Sequence, residues 1–296
     1  MKNILIGLVF SILWASASVA TKFGVQSASP LILANVRFFI AGILLLGFSY
    51  IFSKDEAYKL PNRKEFMQLG LFGFLNTTLY LGLYVMAMKF TAAGIGSLAV
   101  SINPLMIVLL SAWWLSRRPR IGEWIGIILG MLGVGIATYP LLDGATTKIE
   151  GILILLVSMI AVSAASVYYA TIEWKLPNLL INGWQVTLGG IFLLPFTLIF
   201  GDFSVTTWDF RFWGSVLWLS LAVSIAGLIC WFYLLRIDPV RASLWLFLCP
   251  LFGFFFAWRL MDEQVTIYTV AGTLFVIVGL YFGQKAKISS GVAIKK

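Results

Sequence analysis

The sequence contains no histidine and only two cysteines, Cys230 and Cys249, and just 11% of its 296 residues are charged. The lack of histidine excludes histidine metal sites and Ser–His or Cys–His nucleophile pairs. Both cysteines lie inside apolar runs, so no disulfide framework is expected. Soluble domains are about 25% charged. An ordinary water-soluble enzyme and a nucleic-acid-binding protein are therefore excluded.

Hydrophobic residues make up 60% of the chain and fall in long runs. A bilayer core about 30 Å thick requires about 20 apolar residues per helix. The runs predict an all-α membrane protein with ten transmembrane helices, joined by gaps too short for a soluble domain. The predicted spans are residues 4–21, 30–52, 66–88, 93–116, 121–140, 150–171, 179–200, 212–235, 241–260 and 266–284.

The distribution of basic residues predicts the orientation in the membrane. Fifteen of the 21 Lys and Arg residues fall in one set of loops and termini, five fall on the other side, and Arg37 lies inside a span. The positive-inside rule then places the N- and C-termini in the cytoplasm of a multi-pass protein of the cell (inner or plasma) membrane. The first run also resembles a cleavable signal peptide. Its removal would leave nine spans and break the repeat described next.

The two halves of the chain resemble each other. An offset of 146 residues places Pro104 on Pro250 and Gly126 on Gly272, and an offset of 148 aligns the first helices of each half. Each copy contains five spans, an odd number, so the second copy is expected to be inverted in the membrane, as in many secondary transporters. The predicted units are a first five-helix repeat (1–144), a second, inverted five-helix repeat (145–287) and a cytoplasmic tail (288–296).

Pro104 and Pro250 fall near the middle of the fourth and ninth spans. Proline removes a backbone donor and clashes with the preceding turn, so both helices are expected to kink. Paired interruptions at matching positions of two repeats point to a binding site. A kink that serves only helix packing is the alternative.

Polar and aromatic residues recur at helical spacing on several spans, which places each set on one helix face. Small residues and serines on such faces also serve close helix packing. Bulky side chains fit a cavity that binds a small amphipathic ligand better. The predicted substrate-binding residues are Trp14, Ser18, Asn76, Tyr80, Tyr84, Ser101, Ser166, Tyr168, Trp231 and Trp245.

Two basic residues, Arg37 and Lys22, are candidates for intramembrane charges. Arg37 either has a functional role or snorkels toward the headgroups, and Lys22 either pairs with an anionic substrate group or marks the interface. No Asp or Glu lies at mid-membrane, and Glu123 and Glu173 near the cytoplasmic ends are the only candidate proton acceptors. We therefore expect facilitated transport down a gradient, or coupling through a shallow site.

No nucleotide-binding motif, metal-ligand cluster or catalytic constellation is present in the sequence. We expect no enzymatic activity and no cofactor. The expected partners are a small-molecule substrate and the lipid bilayer, without nucleic acid, and the expected assembly is a monomer or a weak homodimer.

The order and spacing of several short motifs resemble those of the EamA-type permeases of the drug/metabolite transporter superfamily. These motifs are Trp14 with Lys22, Arg37-Phe38, Ala242-Ser243-Leu244 with Pro250, Asp262-Glu263-Gln264-Val265-Thr266, and Ala271-Gly272. In the first half, residues 117–120 (Arg-Arg-Pro-Arg) replace the acidic join expected from this resemblance, so Glu263 is interpreted as a helix-end residue. The resemblance implies a central cavity lined by helices 1, 3, 4, 6, 8 and 9, with helices 5 and 10 outside.

The resemblance also implies export of amino acids, other small metabolites or drugs. The expected function is a secondary transporter that exports small organic metabolites such as amino acids by alternating access. The alternatives are a drug or lipid-precursor carrier, and a non-transporting membrane receptor or assembly factor.

Overall fold

The computed structural model describes residues 2–52, 59–88, 90, 99–142, 149–261 and 266–285. Over these residues the chain is helical and has no strand. The helices are α1 (Lys2–Gly24), α2 (Pro30–Phe52), α3 (Arg63–Ala87), α4 (Asn103–Trp114), α5 (Ile121–Leu142), α6 (Ile149–Thr171), α7 (Asn178–Phe200), α8 (Phe210–Ile237), α9 (Pro239–Leu260) and α10 (Ile267–Lys285). Part of the predicted span 93–116, the helix-end residue Glu263 and the tail 288–296 lie outside the described residues.

Seven of these helices, α1 to α3 and α6 to α9, are long and apolar enough to cross a membrane. The other apolar helices in the described residues are shorter: α4, Ile121–Gly133 within α5, and Val270–Gly283 within α10. The predicted all-helical membrane fold is confirmed. Ten membrane-spanning helices, and the inverted relation of the halves, remain predictions.

Polar residues in the loops fix where several helices begin. At the start of α3, Asn62 and Glu65 form a capping box, in which each side chain accepts a hydrogen bond of 2.9 Å from the other's backbone N–H. Asp209 accepts from the backbone N–H of Phe212 at the start of α8, and Asp238 caps α9. Such caps satisfy backbone donors that have no partner inside the helix.

Helices α2 and α7 pack against each other in antiparallel fashion. Near the start of α2, the Asn35 amide donates to the Thr197 hydroxyl near the end of α7 (2.8 Å). Further along α2, Leu46 packs against Gly183 near the start of α7. The order of contacts is therefore reversed along the two helices.

Helices α5 and α10 are also antiparallel and approach each other closely through glycines. Gly126 faces Gly279, and Gly133 faces Gly272. Small residues let helix backbones approach in a membrane. The 146-residue offset relates Gly126 to Gly272 and Gly133 to Gly279. Each glycine of α5 therefore contacts the α10 glycine that is equivalent to the other α5 glycine. Equivalent residues of the two halves thus form one self-complementary interface, as across a two-fold axis.

A buried polar network connects α3, α7 and α8. Gln185 accepts hydrogen bonds from the Thr77 hydroxyl (2.7 Å) and the Asn76 amide (3.3 Å), and donates to Asn182 (3.0 Å). Asn182 in turn donates to the backbone carbonyl of Ser224 (2.7 Å). All four side chains from α3 and α7 are at most 2% exposed. Since lipid offers no hydrogen bonds, the network stabilises the contact of these helices.

Two helices contain π-helical turns, Phe74–Leu81 in α3 and Leu219–Gly227 in α8. The 146-residue offset places the first almost exactly on the second. Backbone carbonyls in these turns accept hydrogen bonds from side chains of neighbouring helices. The Ser158 hydroxyl of α6 donates to the Tyr80 carbonyl (3.1 Å), and the Asn182 amide of α7 donates to the Ser224 carbonyl. π-Turns occur often at functional sites.

We predict that Gly133→Ala destabilises the α5–α10 contact. An added Cβ would lie 2.6 Å from the Gly272 carbonyl oxygen, a backbone atom that cannot rotate away. The expected loss is about 1–3 kcal/mol of unfolding free energy, measured by thermal unfolding of the purified protein in detergent. The control is Gly135→Ala on the same helix, where a Cβ meets no atom within 4 Å. Equal melting temperatures for the two variants would contradict this packing.

We predict that Gln185→Leu destabilises the protein by about 1–3 kcal/mol, because it leaves the buried Thr77 and Asn182 without their partner. Denaturant or thermal unfolding measures the loss. Gln68→Leu is the matched control, since Gln68 is half-buried on α3 and has no hydrogen bond to the described residues. A Gln185→Leu protein as stable as this control would show that the network contributes nothing.

Candidate functional site

A cavity lies inside the bundle between α1, α2, α3, α8 and α9. We call the end that carries Asn3, Arg117 and Asp238 the basal end, and the opposite end, where α1 ends and α2 begins, the mouth end. The polar, aromatic and thiol groups of the wall are Trp14, Ser18, Thr21, Arg37, Tyr80, Tyr84, Ser224 and Cys249. Thr21 and Tyr84 lie near the ends of their helices, so the cavity extends toward the mouth end.

The cavity is narrow in this conformation. About 40 Å³ is open to the centre of a water molecule, which is room for a few waters. Sites for drug-sized ligands are several hundred cubic ångströms. A substrate larger than a few waters must therefore widen the space between the helices.

A row of aromatic rings runs from the core to the cavity wall. Trp231 stacks on Phe10 (4.9 Å between ring centroids), and Phe10 contacts Trp14 (5.3 Å). Trp14 lies nearly parallel to Tyr80 (6.4 Å, 14°), and Tyr80 contacts Tyr84 (6.1 Å). Trp14, Tyr80 and Tyr84 line the cavity, whereas Trp231 lies behind them. The wall therefore offers flat apolar faces together with phenol hydroxyls.

Arg37 reaches the cavity from α2, seven residues after the start of that helix. It is 3% exposed, and its guanidinium carbon lies 4.8 Å from the centroid of the Phe38 ring. Its Nε atom has no hydrogen-bond partner among the described residues. Lys22, in the last turn of α1, is half-buried and adjoins the lining residue Thr21.

The structure brings together five of the predicted substrate-binding and charged residues at this cavity and places the others elsewhere. Those at the cavity are Trp14, Ser18, Arg37, Tyr80 and Tyr84. Asn76 belongs to the network with Gln185. Ser166 donates within its own helix to the Val162 carbonyl (2.7 Å), and Tyr168 packs on Trp114 (6.2 Å).

Trp245 and Ser101 lie close to the cavity but outside its wall. The Trp245 ring packs against Gly7 of α1, and its carbonyl accepts from the Ser11 hydroxyl (2.9 Å). Ser101 is 3% exposed, follows the lining residue Val100, and its hydroxyl has no partner among the described residues.

Both predicted kink prolines follow an interruption of regular helix. Pro104 is the second residue of α4, directly after a turn at residues 101–102. Pro250 lies within α9, in the first α-helical turn that follows a 3₁₀ turn at Trp245–Phe247. In both cases the missing proline N–H falls in a first helical turn, where such donors have no intrahelical acceptor.

Aromatic packing closes the basal end beneath the cavity. Tyr169 contacts Phe72 (5.2 Å), Trp174 (5.5 Å) and Phe232 (4.9 Å). The Arg236 Nε donates to the Tyr169 hydroxyl (3.0 Å). These residues come from α3, α6, α8 and the α6–α7 loop, so the cluster joins the two halves of the chain.

An ion-pair network adds to this closure. Arg117, in the α4–α5 loop, donates to both carboxylate oxygens of Glu123 and also to Asp238 (2.8 Å) between α8 and α9. Burial alone would lower the pKa of Arg117, but its hydrogen bonds and attraction to these two acids raise the pKa above its ordinary value. Glu123 is thus occupied by an ion pair at the basal end and does not line the cavity.

Sequence reasoning did not identify Asn182 and Gln185 as important residues. Their signal was present, because two amides three residues apart in an apolar span fall on one helix face and need buried partners. Cys249 was also not assigned to the site, although it lines the cavity. Nothing in its apolar surroundings distinguishes it from a packing residue.

The chain is similar along nearly its whole length to proteins named as transporters. It is 25% identical over 285 residues to the uncharacterized transporter YoaV of Bacillus subtilis, which covers 95% of this chain and 96% of YoaV. An uncharacterized transporter of Archaeoglobus fulgidus is 28% identical (90% of this chain, 93% of that protein). The uncharacterized inner membrane transporter YedA of Escherichia coli K12 is 26% identical (83% and 79%).

A solved crystal structure has the same fold, with a TM-score of 0.78 and 18% sequence identity over 95% of this chain and 96% of that one. At this identity the match shows the fold alone. Residues 1–139 and 149–282 each match the EamA-like transporter family. The two matches cover most of both halves, and they confirm the resemblance seen in the sequence motifs. The chain therefore belongs to the EamA-like transporter family.

Proposed function

We propose that the protein is a secondary transporter that exports small organic metabolites, such as amino acids, from the cytoplasm by alternating access. The observation that carries this proposal is a cavity with aromatic and polar walls inside an apolar helix bundle, with an aromatic cluster and ion pairs packed beneath it at the basal end. Membership of a transporter family supports the same conclusion.

We infer that ten helices span the membrane as two inverted five-helix repeats, residues 1–144 and 145–287. The family matches once in each half. The antiparallel packing of α2 with α7, and of α5 with α10, supports the inversion, because these helices are equivalent in the two repeats. A two-fold axis in the membrane plane makes equivalent contacting helices antiparallel, whereas an axis along the membrane normal makes them parallel.

This symmetry supplies the second state that transport requires. In the present conformation the Tyr169 cluster and the Arg117 ion pairs close the basal end. Exchange of the conformations of the two repeats would open the basal end and close the mouth end, as in other carriers with inverted repeats. The substrate would bind near the middle of the bundle in both states.

The basal end faces the cytoplasm in this proposal, because the start of α1, the end of α10 and the basic segments 117–120 and 236–241 are on that side. Export then means loading from the basal end and release at the mouth end. No carboxylate lies among the described residues that line the cavity, which favours facilitated transport. The carrier needs no cofactor and no enzymatic activity, and it acts as a monomer or weak homodimer in the inner or plasma membrane.

We predict that Tyr80→Ala strongly lowers export, by about tenfold or more, because it removes a ring and a hydroxyl from the cavity wall. Metabolites released by overexpressing cells are screened first. Flux of those found is then measured in proteoliposomes. Tyr281→Ala, which removes a 57% exposed ring from α10, should leave flux unchanged. Asn76→Ala should act mainly by lowering stability.

Flux that is unaltered in Tyr80→Ala would show that the cavity is not the transport site. Binding of a metabolite without flux would identify a receptor. Neither binding nor flux of any screened metabolite would favour an assembly role. A drug or lipid-precursor carrier would be recognised by flux of those compounds in place of amino acids.

Alternating access also predicts that Cys249 is accessible from both sides of the membrane in turn. In a Cys230→Ser protein, Cys249 is the only thiol. A membrane-impermeant methanethiosulfonate reagent should modify it in right-side-out and in inside-out vesicles. Arg117→Gln should raise the rate at which the reagent modifies Cys249 from the basal side, because this substitution breaks the ion pairs that close that end.

The matched control for this measurement is Arg118→Gln, which removes the same charge from an exposed neighbouring position. Its modification rates should equal those of the parent protein. Modification of Cys249 from one side only, in the parent and in Arg117→Gln alike, would contradict alternating access.

A further inference from the structure

Arg37 carries a buried charge for which the protein supplies no counter-ion among the described residues. Its side chain belongs to a residue only 3% exposed. Arg117 forms salt bridges with Glu123 and Asp238, but these lie at the basal end, away from Arg37. The described residues of the cavity wall that contains Arg37 include no Asp or Glu.

Burial of a guanidinium without a counter-ion is strongly unfavourable. The face of the Phe38 ring, 4.8 Å away, offsets part of that cost. The Nε atom still has no acceptor among the described residues. Snorkelling does not explain the position, because a side chain that reaches the headgroups would be exposed at the surface of the bundle.

A second polar group in the same cavity also lacks a partner. The hydroxyl of Ser224, a residue 1% exposed on the π-turn of α8, has no hydrogen bond among the described residues. Arg37 and Ser224 come from different halves of the chain and line one space. An unpaired cation and an unpaired hydroxyl facing one cavity fit an anionic acceptor with several oxygens.

We propose that Arg37, together with Ser224, forms an anion subsite that binds the carboxylate of a small organic acid. Guanidinium and carboxylate form paired hydrogen bonds of matching geometry. The apolar part of the acid packs on the faces of Trp14 and Tyr80. This inference rests on the proposed transport function and names the chemical class of its substrate.

The same wall determines which charges are accepted. Because no carboxylate lines the cavity among the described residues, an ammonium group finds only ring faces and hydroxyls there, and it is repelled by Arg37. An aryl-substituted carboxylate therefore binds at least as well as the corresponding amino acid, and the corresponding amine binds weakly. The selectivity is for the anion.

Three compounds with the same phenylalkyl group test this order: 3-phenylpropanoate, phenylalanine and 2-phenylethylamine. Binding to the wild-type protein in detergent is measured by isothermal titration calorimetry. We expect the propanoate to bind at least as tightly as phenylalanine, and the amine to bind at least tenfold more weakly. Equal affinity for the amine, or no binding of the propanoate, would overturn the proposal.

Variants then connect the selectivity to Arg37. Arg37→Gln should weaken propanoate binding at least tenfold, and Arg37→Lys should retain part of it because the charge remains. Arg259→Gln removes a charge from an exposed position outside the cavity and should bind as the wild type does. An unchanged affinity in a folded Arg37→Gln protein would overturn the role of Arg37.

Parallel flux measurements keep this inference separate from the proposed function. Wild-type protein that binds the propanoate with the expected selectivity, but does not move it across proteoliposomes, supports the anion subsite and contradicts transport. Flux of the amine with no flux of the propanoate supports transport and overturns the anion subsite.

Discussion

The structure depends on one constraint: inside a bilayer every polar group needs a partner within the protein, because lipid supplies none. The amides of Asn182 and Gln185, and the hydroxyl of Thr77, meet this constraint by bonding to one another and to an open carbonyl of α8. Where apolar faces meet, as between α5 and α10, close glycine contacts let the helix backbones approach each other. Among the buried polar atoms without a partner in the described residues, the Arg37 Nε and the Ser224 hydroxyl line the cavity, and the proposed ligand would bind to them.

The helical membrane fold could be predicted from the sequence because the apolar runs are long and the charges fall between them. The glycine motifs that contain Gly126 and Gly279 indicate close helix packing but do not specify the partner, which the structure shows for α5 to be α10. The 3₁₀ turn at Trp245–Phe247 was not predictable in the same way. Apolar residues occupy α-helical and 3₁₀ turns alike, so hydropathy does not distinguish the two. Only the nearby Pro250 indicated that the regular helix is interrupted.

The candidate site was predictable in part. Helical spacing assigned Trp14, Tyr80 and Tyr84 to polar faces, and these faces meet at the cavity. Spacing does not determine which neighbour a face meets, because rotation of a helix in the bundle depends on packing of the whole chain. Tyr168 and Tyr169 illustrate this: adjacent on α6, they point about 100° apart, one toward Trp114 and the other into the basal cluster.

The π-turn of α3 explains how one stripe of side chains serves two purposes. Asn76, Tyr80 and Tyr84 follow one another at four-residue intervals, which in a regular α-helix would give a single face. The i→i+5 bonding of the π-turn instead introduces a phase shift between the two ends of the helix. The amide accordingly meets α7 while the phenols meet the cavity. The equivalent turn in α8 gives the second half of the molecule the same kind of phase shift. Substitutions on the cavity side of such a turn can therefore change the cavity wall without altering the contact that the other side makes with a neighbouring helix.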